Sequence, residues 1–280
     1  MITLKKFKKI RVLSCTFSTA LLLFLISGAS QAGGWLRSEG EHRYSAYLQS
    51  SSADKSWDRD GNDVNSSCTS KDNSITHEYE YGYSYYRTYF GKVSMASSKC
   101  GQDKSSGFGD VYLGVRGRLN LYKNGQAWEA IVIIPTGYDN TKSNRLGYGE
   151  PGLELGLYSS RRLNEKSTLT YGGSLRFWAG APADQFRTKI GWTYKKNKTW
   201  SYHANLSGNF SLNNGKESLT PSIDGDFESE FDVIRGEIGL RRSLGKRLSL
   251  GAGLFKNLWG RNVSQRDGIF VSLSYVWGRL

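Results

Sequence analysis

From about residue 75 to the C-terminal end, apolar and polar side chains alternate with a period of two in successive short segments. Val111, Leu113, Val115, Leu119 and Leu121 share one face, while Asp110, Tyr112, Arg116, Arg118 and Asn120 share the other. Leu153, Leu155 and Leu157 oppose Glu154, Gly156 and Tyr158, and Leu175 and Phe177 oppose Ser174 and Arg176. Phe186, Ile190 and Trp192 oppose Arg187, Lys189 and Thr193; Tyr202, Ala204 and Leu206 oppose Ser201, His203, Asn205 and Ser207. Ile234, Ile238 and Leu240 oppose Arg235, Glu237 and Arg241, and Ile269, Val271, Leu273, Tyr275 and Trp277 oppose Ser272 and Ser274. Alternation of this kind places residues on opposite faces of a strand, so the pattern predicts an all-β chain with one apolar and one polar face per strand.

A soluble sandwich and a membrane barrel both have such strands, and three features favour the barrel. The segments run to the roughly 9–11 residues that a tilted strand needs to cross a bilayer. Their polar faces carry ions and amides that a barrel interior accepts. Trp128, Tyr158, Trp178, Trp192, Tyr194, Trp200, Trp259 and Trp277 stand near segment ends, as an aromatic girdle would. Connections also alternate in length. Short turns are expected at 123–126, where Asn124-Gly125 is a hairpin signal, and at 161–166, 195–198 and 243–246. Longer loops are expected at 50–74, 96–107, 136–151, 211–229 and 260–267. With a first strand at 41–49, a pair over 75–95 turning near Gly82–Ser84, and one over 127–135, the expected count is about twelve antiparallel strands.

The N-terminus sets the compartment. Lys5, Lys6, Lys8, Lys9 and Arg11 precede an apolar run from Val12 to Ile26, and Ser30-Gln31-Ala32 supplies small residues for cleavage. Residues 1–32 are expected to be a cleaved signal peptide, and 33–280 an outer-membrane barrel facing lipid and lipopolysaccharide. Removing that segment takes five of the 38 basic residues and none of the 25 acidic ones, so the net charge falls from +13 to +8. Cys68 and Cys100 then form an even pair in an exported chain, which fits one disulfide between neighbouring surface loops. Neither has a His or a second Cys at zinc-like spacing.

Candidate chemistry is sparse. His203 between Ser201 and Asn205 has no oxyanion-forming glycine motif beside it, so a polar lumen wall explains these residues better than catalysis. Asp58-Arg59-Asp60-Gly61-Asn62-Asp63 resembles half of a calcium loop, but the glycine register is wrong and no Glu closes it; an exposed turn is expected. No catalytic, metal or cofactor site is therefore assigned. The expected inward charges are Arg116, Arg118, Glu129, Glu154, Arg176, Arg187, Lys189, Arg235, Glu237 and Arg241, with Glu41, Arg43, Glu78, Glu80 and Asp110 beside them. The two signs nearly balance there, and the basic surplus falls in short turns such as Lys195, Lys196 and Lys198, which argues against nucleic acid as a partner. Arg187 and Lys189, with Arg116 and Arg118, are the expected contacts for an anionic solute. Pairing of these cations with the glutamates is the competing expectation.

Several of these residues also resemble a known family. Ser106-Gly107-Phe108-Gly109-Asp110-Val111-Tyr112-Leu113-Gly114, then Ile134-Pro135-Thr136-Gly137, then Gly147-Tyr148-Gly149-Glu150-Pro151-Gly152 resemble, in order, motifs of the outer-membrane family named for the MetA pathway of phenol degradation. The resemblance covers about 75–205 and implies a fatty-acid-transporter-like (FadL-like) barrel linked to uptake of hydrophobic or aromatic compounds. Gly34-Trp35-Leu36 and the 57–62 segment are similar to Xag-type barrels tied to exopolysaccharide synthesis. A large plug ahead of the first strand, as in the long-chain fatty-acid transporters, is not expected, and the chain ends Gly278-Arg279-Leu280 rather than on an aromatic residue.

The leading functional expectation is a non-enzymatic barrel for passive passage of small hydrophobic or anionic solutes. The alternatives are an outer-membrane component of exopolysaccharide export or matrix production, and a structural or adhesive barrel with a closed lumen.

Overall fold

A computed structural model of the chain describes residues 36–119, 125–138, 146–180, 182–215 and 229–278. The signal-peptide segment, the Asn124 turn residue and the final Arg279-Leu280 lie outside them.

Twelve long strands and one two-residue strand form a single antiparallel sheet. They are β1 (Glu41–Trp57), β2 (Asp63–Ser84), β3 (Arg87–Cys100), β4 (Asp103–Arg118), β5 (Gly125–Ile134), β6 (Gly152–Arg162), β7 (Ser167–Trp178), β8 (Gln185–Lys195), β9 (Trp200–Ser211), β10 (Asp232–Leu244), β11 (Leu248–Arg261), β12 (Val263–Ser264) and β13 (Asp267–Gly278). Each long strand pairs with the next, and β1 pairs with both β2 and β13, from Glu41↔Gly278 to Ser52↔Asp267. That last ladder closes the sheet into a barrel, which leaves no lateral edge with unpaired backbone.

The alternation read from the sequence becomes an inside and an outside. Leu113, Val132, Leu155, Ile190, Ile238, Leu254, Ile269 and Val271 are all exposed on the outer surface. In water such a belt would be unfavourable; in hydrocarbon it is the required surface, so the fold is that of a transmembrane barrel. Outward aromatics mark one end of it: the His42 ring stacks between Tyr81 and Trp277, with centroids 4.8 and 5.3 Å away.

Two expectations are corrected. Segments 50–74 and 96–107 are mostly strand rather than loop: β2 alone is 22 residues long, about twice what a bilayer crossing needs. The upper parts of β1, β2, β3 and β4 form a polar finger beyond the apolar belt, with tips at 58–62 and 101–102. Gly101 makes the second tip possible, since its φ of 59° lies in the left-handed region. Within the finger, Ala53 pairs with Ser70 and Lys55 with Asn65, so Ser66–Thr69 form a bulge in β2. Cys68 sits in that bulge and is disulfide-bonded to Cys100, with Cα atoms 5.6 Å apart. The second correction concerns the girdle: Trp178 and Tyr158 lie on the inward face with Arg176 and Glu154, and Trp178 is buried. The pair turn lies at 84–87, slightly beyond Gly82–Ser84.

The barrel lumen as candidate functional site

The inward residues divide the lumen into two unlike walls. On β3 to β7 a cluster of large side chains faces inward, with Phe90 and Tyr158 lying over Gly114, Gly156 and Gly172. Ile131, Ile133 and Trp178 form a buried cluster, and Phe90, Tyr112 and Tyr148 pack against it. Two ion clusters are set into this wall. In the first, Glu80 receives Arg37, Arg43 and Arg116 at 3.1, 3.4 and 3.1 Å, and Arg116 also reaches Glu129 at 2.6 Å. In the second, Arg176 donates from Nε and Nη2 to one oxygen of Glu154, at 2.9 and 2.6 Å. Ser174 donates to the other oxygen at 2.6 Å, and Arg187 reaches both at 3.0 and 2.9 Å. Carboxylates and guanidiniums that leave water together need this density of partners, because a single missing partner strands a charge.

The wall of β8 to β13 and β1 is different. Its inward positions include Gly191, Ser201, Gly239, Gly251, Gly253, Ser272, Ser274 and Ser45. A Cβ at Gly239 would meet the His203 ring at 2.6 Å, and one at Gly251 would meet the Ser272 hydroxyl at 2.5 Å. These neighbours therefore lie along the wall over the glycines instead of projecting toward the axis. The charged residues here are few. Glu237 accepts from Asn205 at 2.8 Å and from the Tyr47 hydroxyl at 3.4 Å, and His203 Nε2 stands 3.7 Å away. Arg235 donates to Asn257 at 2.9 Å and stacks on Phe255. Lys189 and Arg241 are exposed and make no ion pair among the described residues.

Both ends of the lumen carry contacts. At the finger end, the buried Arg266 lies 2.6 Å from Asp72, and Asn257 donates to the Ser264 carbonyl at 2.9 Å. Asn262 N donates to the Asp58 carbonyl at 2.9 Å and Gln265 reaches Asp63 at 2.6 Å, which ties the finger to the β11–β13 connection. At the other end, residues 36–40 lie against β2 and β3. Arg37 N donates to the fully buried Thr88 at 2.8 Å, and Gly40 N to the Gly82 carbonyl at 2.8 Å. Gly82 is required there, since a Cβ would overlap the Ser38 carbonyl.

The ten charges expected inside thus fall into three groups. Arg116, Glu129, Glu154, Arg176 and Arg187 are joined in the two clusters. Arg235, Glu237, Lys189 and Arg241 line the thinner wall. Arg118 stands at the rim, its guanidinium 4.2 Å from the Tyr85 ring centroid. Of the expected anion contacts, Arg116 is held by two glutamates and Arg118 packs on an aromatic face.

Four charges at the lumen escaped the sequence reading: Arg37, which meets Glu80 from the segment before β1, and Lys92, Asp72 and Arg266. Lys92 lies over the Tyr112 ring at 4.3 Å, beyond a bulge between Val93 and Met95 that interrupts the alternation around it. Asp72 and Arg266 sit in segments read as loops. The pairing register Glu78↔Lys92 was the one signal available for Lys92, and it needs the strand alignment to be known.

No family profile and no curated protein matches this chain. Solved structures do. The chain superposes on the COG4313 outer membrane channel from Pseudomonas putida F1 with a TM-score of 0.72 at 14% identity, over 90% of this chain and 100% of that one. It also matches the translocator domain of autotransporter NalP from Neisseria meningitidis (TM-score 0.52, 13% identity, 85% and 89% covered). A TodX deltaS2S3 mutant monoaromatic hydrocarbon channel matches with a TM-score of 0.50 at 10% identity, over 87% and 91%. These likenesses show the fold: this chain is built as an outer-membrane-type β-barrel.

Proposed function

We propose that this protein is an outer-membrane channel for passive passage of small solutes. The observation that carries this reading is the asymmetry of the lumen. A barrel meant only as a rigid wall gains by filling its interior, as β3 to β7 do. The wall of β8 to β13 also buries Phe255 and Phe270, but around the exposed Lys189 and Arg241 it presents Gly191, Ser201, Gly239, Gly251 and Ser272 at inward positions. Passage would run along that wall, off the barrel axis. The likeness to two structures named as channels supports the same reading.

Incorporation into planar bilayers tests it. Discrete single-channel steps are expected, and Gly251→Leu with Ser272→Leu should reduce them. A correctly folded barrel that gives no steps, and no swelling of liposomes in small sugars, would refute the channel reading.

A further inference from the structure

The cations of the lumen differ in whether their charge is spent. Arg37, Arg43 and Arg116 converge on Glu80, while Arg176 and Arg187 converge on Glu154. Lys189 on β8 and Arg241 on β10 have no such carboxylate among the described residues, and both are exposed. Their direction is fixed by alternation. Lys189 shares a face with Arg187, which reaches inward to Glu154; Arg241 shares a face with Glu237, which holds Tyr47 and Asn205. Outward neighbours Ile190, Ile238 and Leu240 are exposed to the lipid side.

These two cations flank one stretch of the thin wall. His203, on the strand between them, lies within electrostatic reach of Lys189, Arg241 and Glu237 together. Arg43, across the β13–β1 seam, lies within reach of Arg241. Among the described residues, these interactions place Lys189, Arg241, Arg43, His203 and Glu237 at this stretch. The carboxylate of Glu237 is the one acid among them, and neutral donors already occupy it.

We infer that Lys189 and Arg241 form a relay for small organic anions, carboxylates above all, along the β8–β10 wall of the lumen. This rests on the channel reading above and deepens it by naming the solute class. The chemistry follows from the setting. Two cations on long side chains, wet but confined by a low-dielectric wall, raise the local anion concentration without a desolvated, tightly binding pocket. Conduction needs such weak successive contacts, because a site that holds its ion fully would block the path. Gly191 and Gly239 leave room for an anion in the stretch between the two cations, beside His203, Asn205 and the hydrogen-bonded Glu237.

Reversal potentials of single channels test the inference. Across a potassium chloride gradient, the wild-type protein is expected to favour anions, with an anion-to-cation permeability ratio above one. Replacing chloride by acetate should preserve the preference. Lys189→Gln with Arg241→Gln should bring the ratio several-fold down toward one, and Lys189→Glu with Arg241→Glu should invert it. Both variants alter exposed side chains, and folding is checked by the heat-dependent mobility shift typical of barrels. A conducting channel whose ratio is the same in all three forms overturns the relay while leaving the channel reading standing. Selectivity for chloride with exclusion of acetate overturns the carboxylate class. A folded protein with no conductance overturns both readings.

Discussion

Arg266, in the connection after β12, lies 2.6 Å from Asp72 on β2, with the whole of β1 between their strands. The guanidinium is buried, whereas the Asp72 side chain keeps 28% of its exposure. The pair pins the β11–β13 connection over the barrel mouth. Arg266→Ala leaves the part-exposed Asp72 to water but also empties the volume of a fully buried side chain and frees Ser70, so it lowers stability. Its further expected effect is on the mouth: larger conductance steps with more rapid open-state fluctuation than in the wild type, read in planar bilayers.

Glu154 is expected to be the costliest single carboxylate to remove. It holds the buried Arg176 and the half-exposed Arg187. Glu154→Gln leaves a buried guanidinium without its counter-charge, an effect of about 3–5 kcal/mol in buried pairs. Urea unfolding from lipid vesicles should show it, and Glu154→Gln with Arg176→Met should recover part of the loss.

The Cys68–Cys100 bond closes a separation of 32 residues. Loop-closure entropy puts its contribution at no more than about 3–4 kcal/mol. The bond lies in the polar finger, away from the lumen walls. Cys68→Ser with Cys100→Ser is expected to lower the unfolding midpoint and speed protease cleavage near residues 66–69, with single-channel conductance unchanged.

Gly82→Val places a branched side chain where the Ser38 carbonyl lies. Residues 36–40 should leave the barrel end. A cysteine introduced by Ser38→Cys would then react faster with a membrane-impermeant maleimide when combined with Gly82→Val than beside the native glycine.

Asp58 gives a pH signature to the finger tip. Its carboxylate accepts from the backbone N–H groups of Asn62 and Asp60 at 2.8 and 2.9 Å, and these bonds, that of Asn62 foremost, hold its pKa below the usual carboxylate value. A group depressed in the folded state favours folding above its unfolded pKa, and the contribution fades as pH falls through the folded value. The protection factors of the Asp60 and Asn62 amides, taken against intrinsic exchange at each pH, should therefore hold at neutral pH and fall only on acidification below the ordinary carboxylate range. Asp58→Asn should remove that dependence.

The twelve crossings were legible because lipid demands an apolar side chain at every second position, and no other device can satisfy it. Tyr202, Leu206, Ile238 and Leu240 had to alternate with polar partners. The finger was not legible for the converse reason. Beyond the bilayer neither face of a strand needs to be apolar, so Ser50 to Ser74 could form ladders on both sides while reading as a loop. Inside the barrel, alternation showed which charges point inward but not which are neutralised. That depends on neighbours from remote strands, as when Arg43, Arg37 and Arg116 meet at Glu80. Trp178 shows the same limit: an aromatic residue at a strand end suits a girdle equally well until its parity with Arg176 is weighed.

The unequal walls also divide the sequence by what its changes can do. Inward positions from Thr88 to Trp178 are interlocked, so a substitution there is felt by several partners and selection would treat it as a matter of folding. From Gly191 to Ser274, Glu237 reaches Tyr47 and His203 meets Phe270 across several strands, and the glycines are held by their neighbours. Lys189 and Arg241, which make no ion pair among the described residues, can change with less effect on their surroundings, which makes them the positions where a lineage could retune what the barrel admits without rebuilding its scaffold.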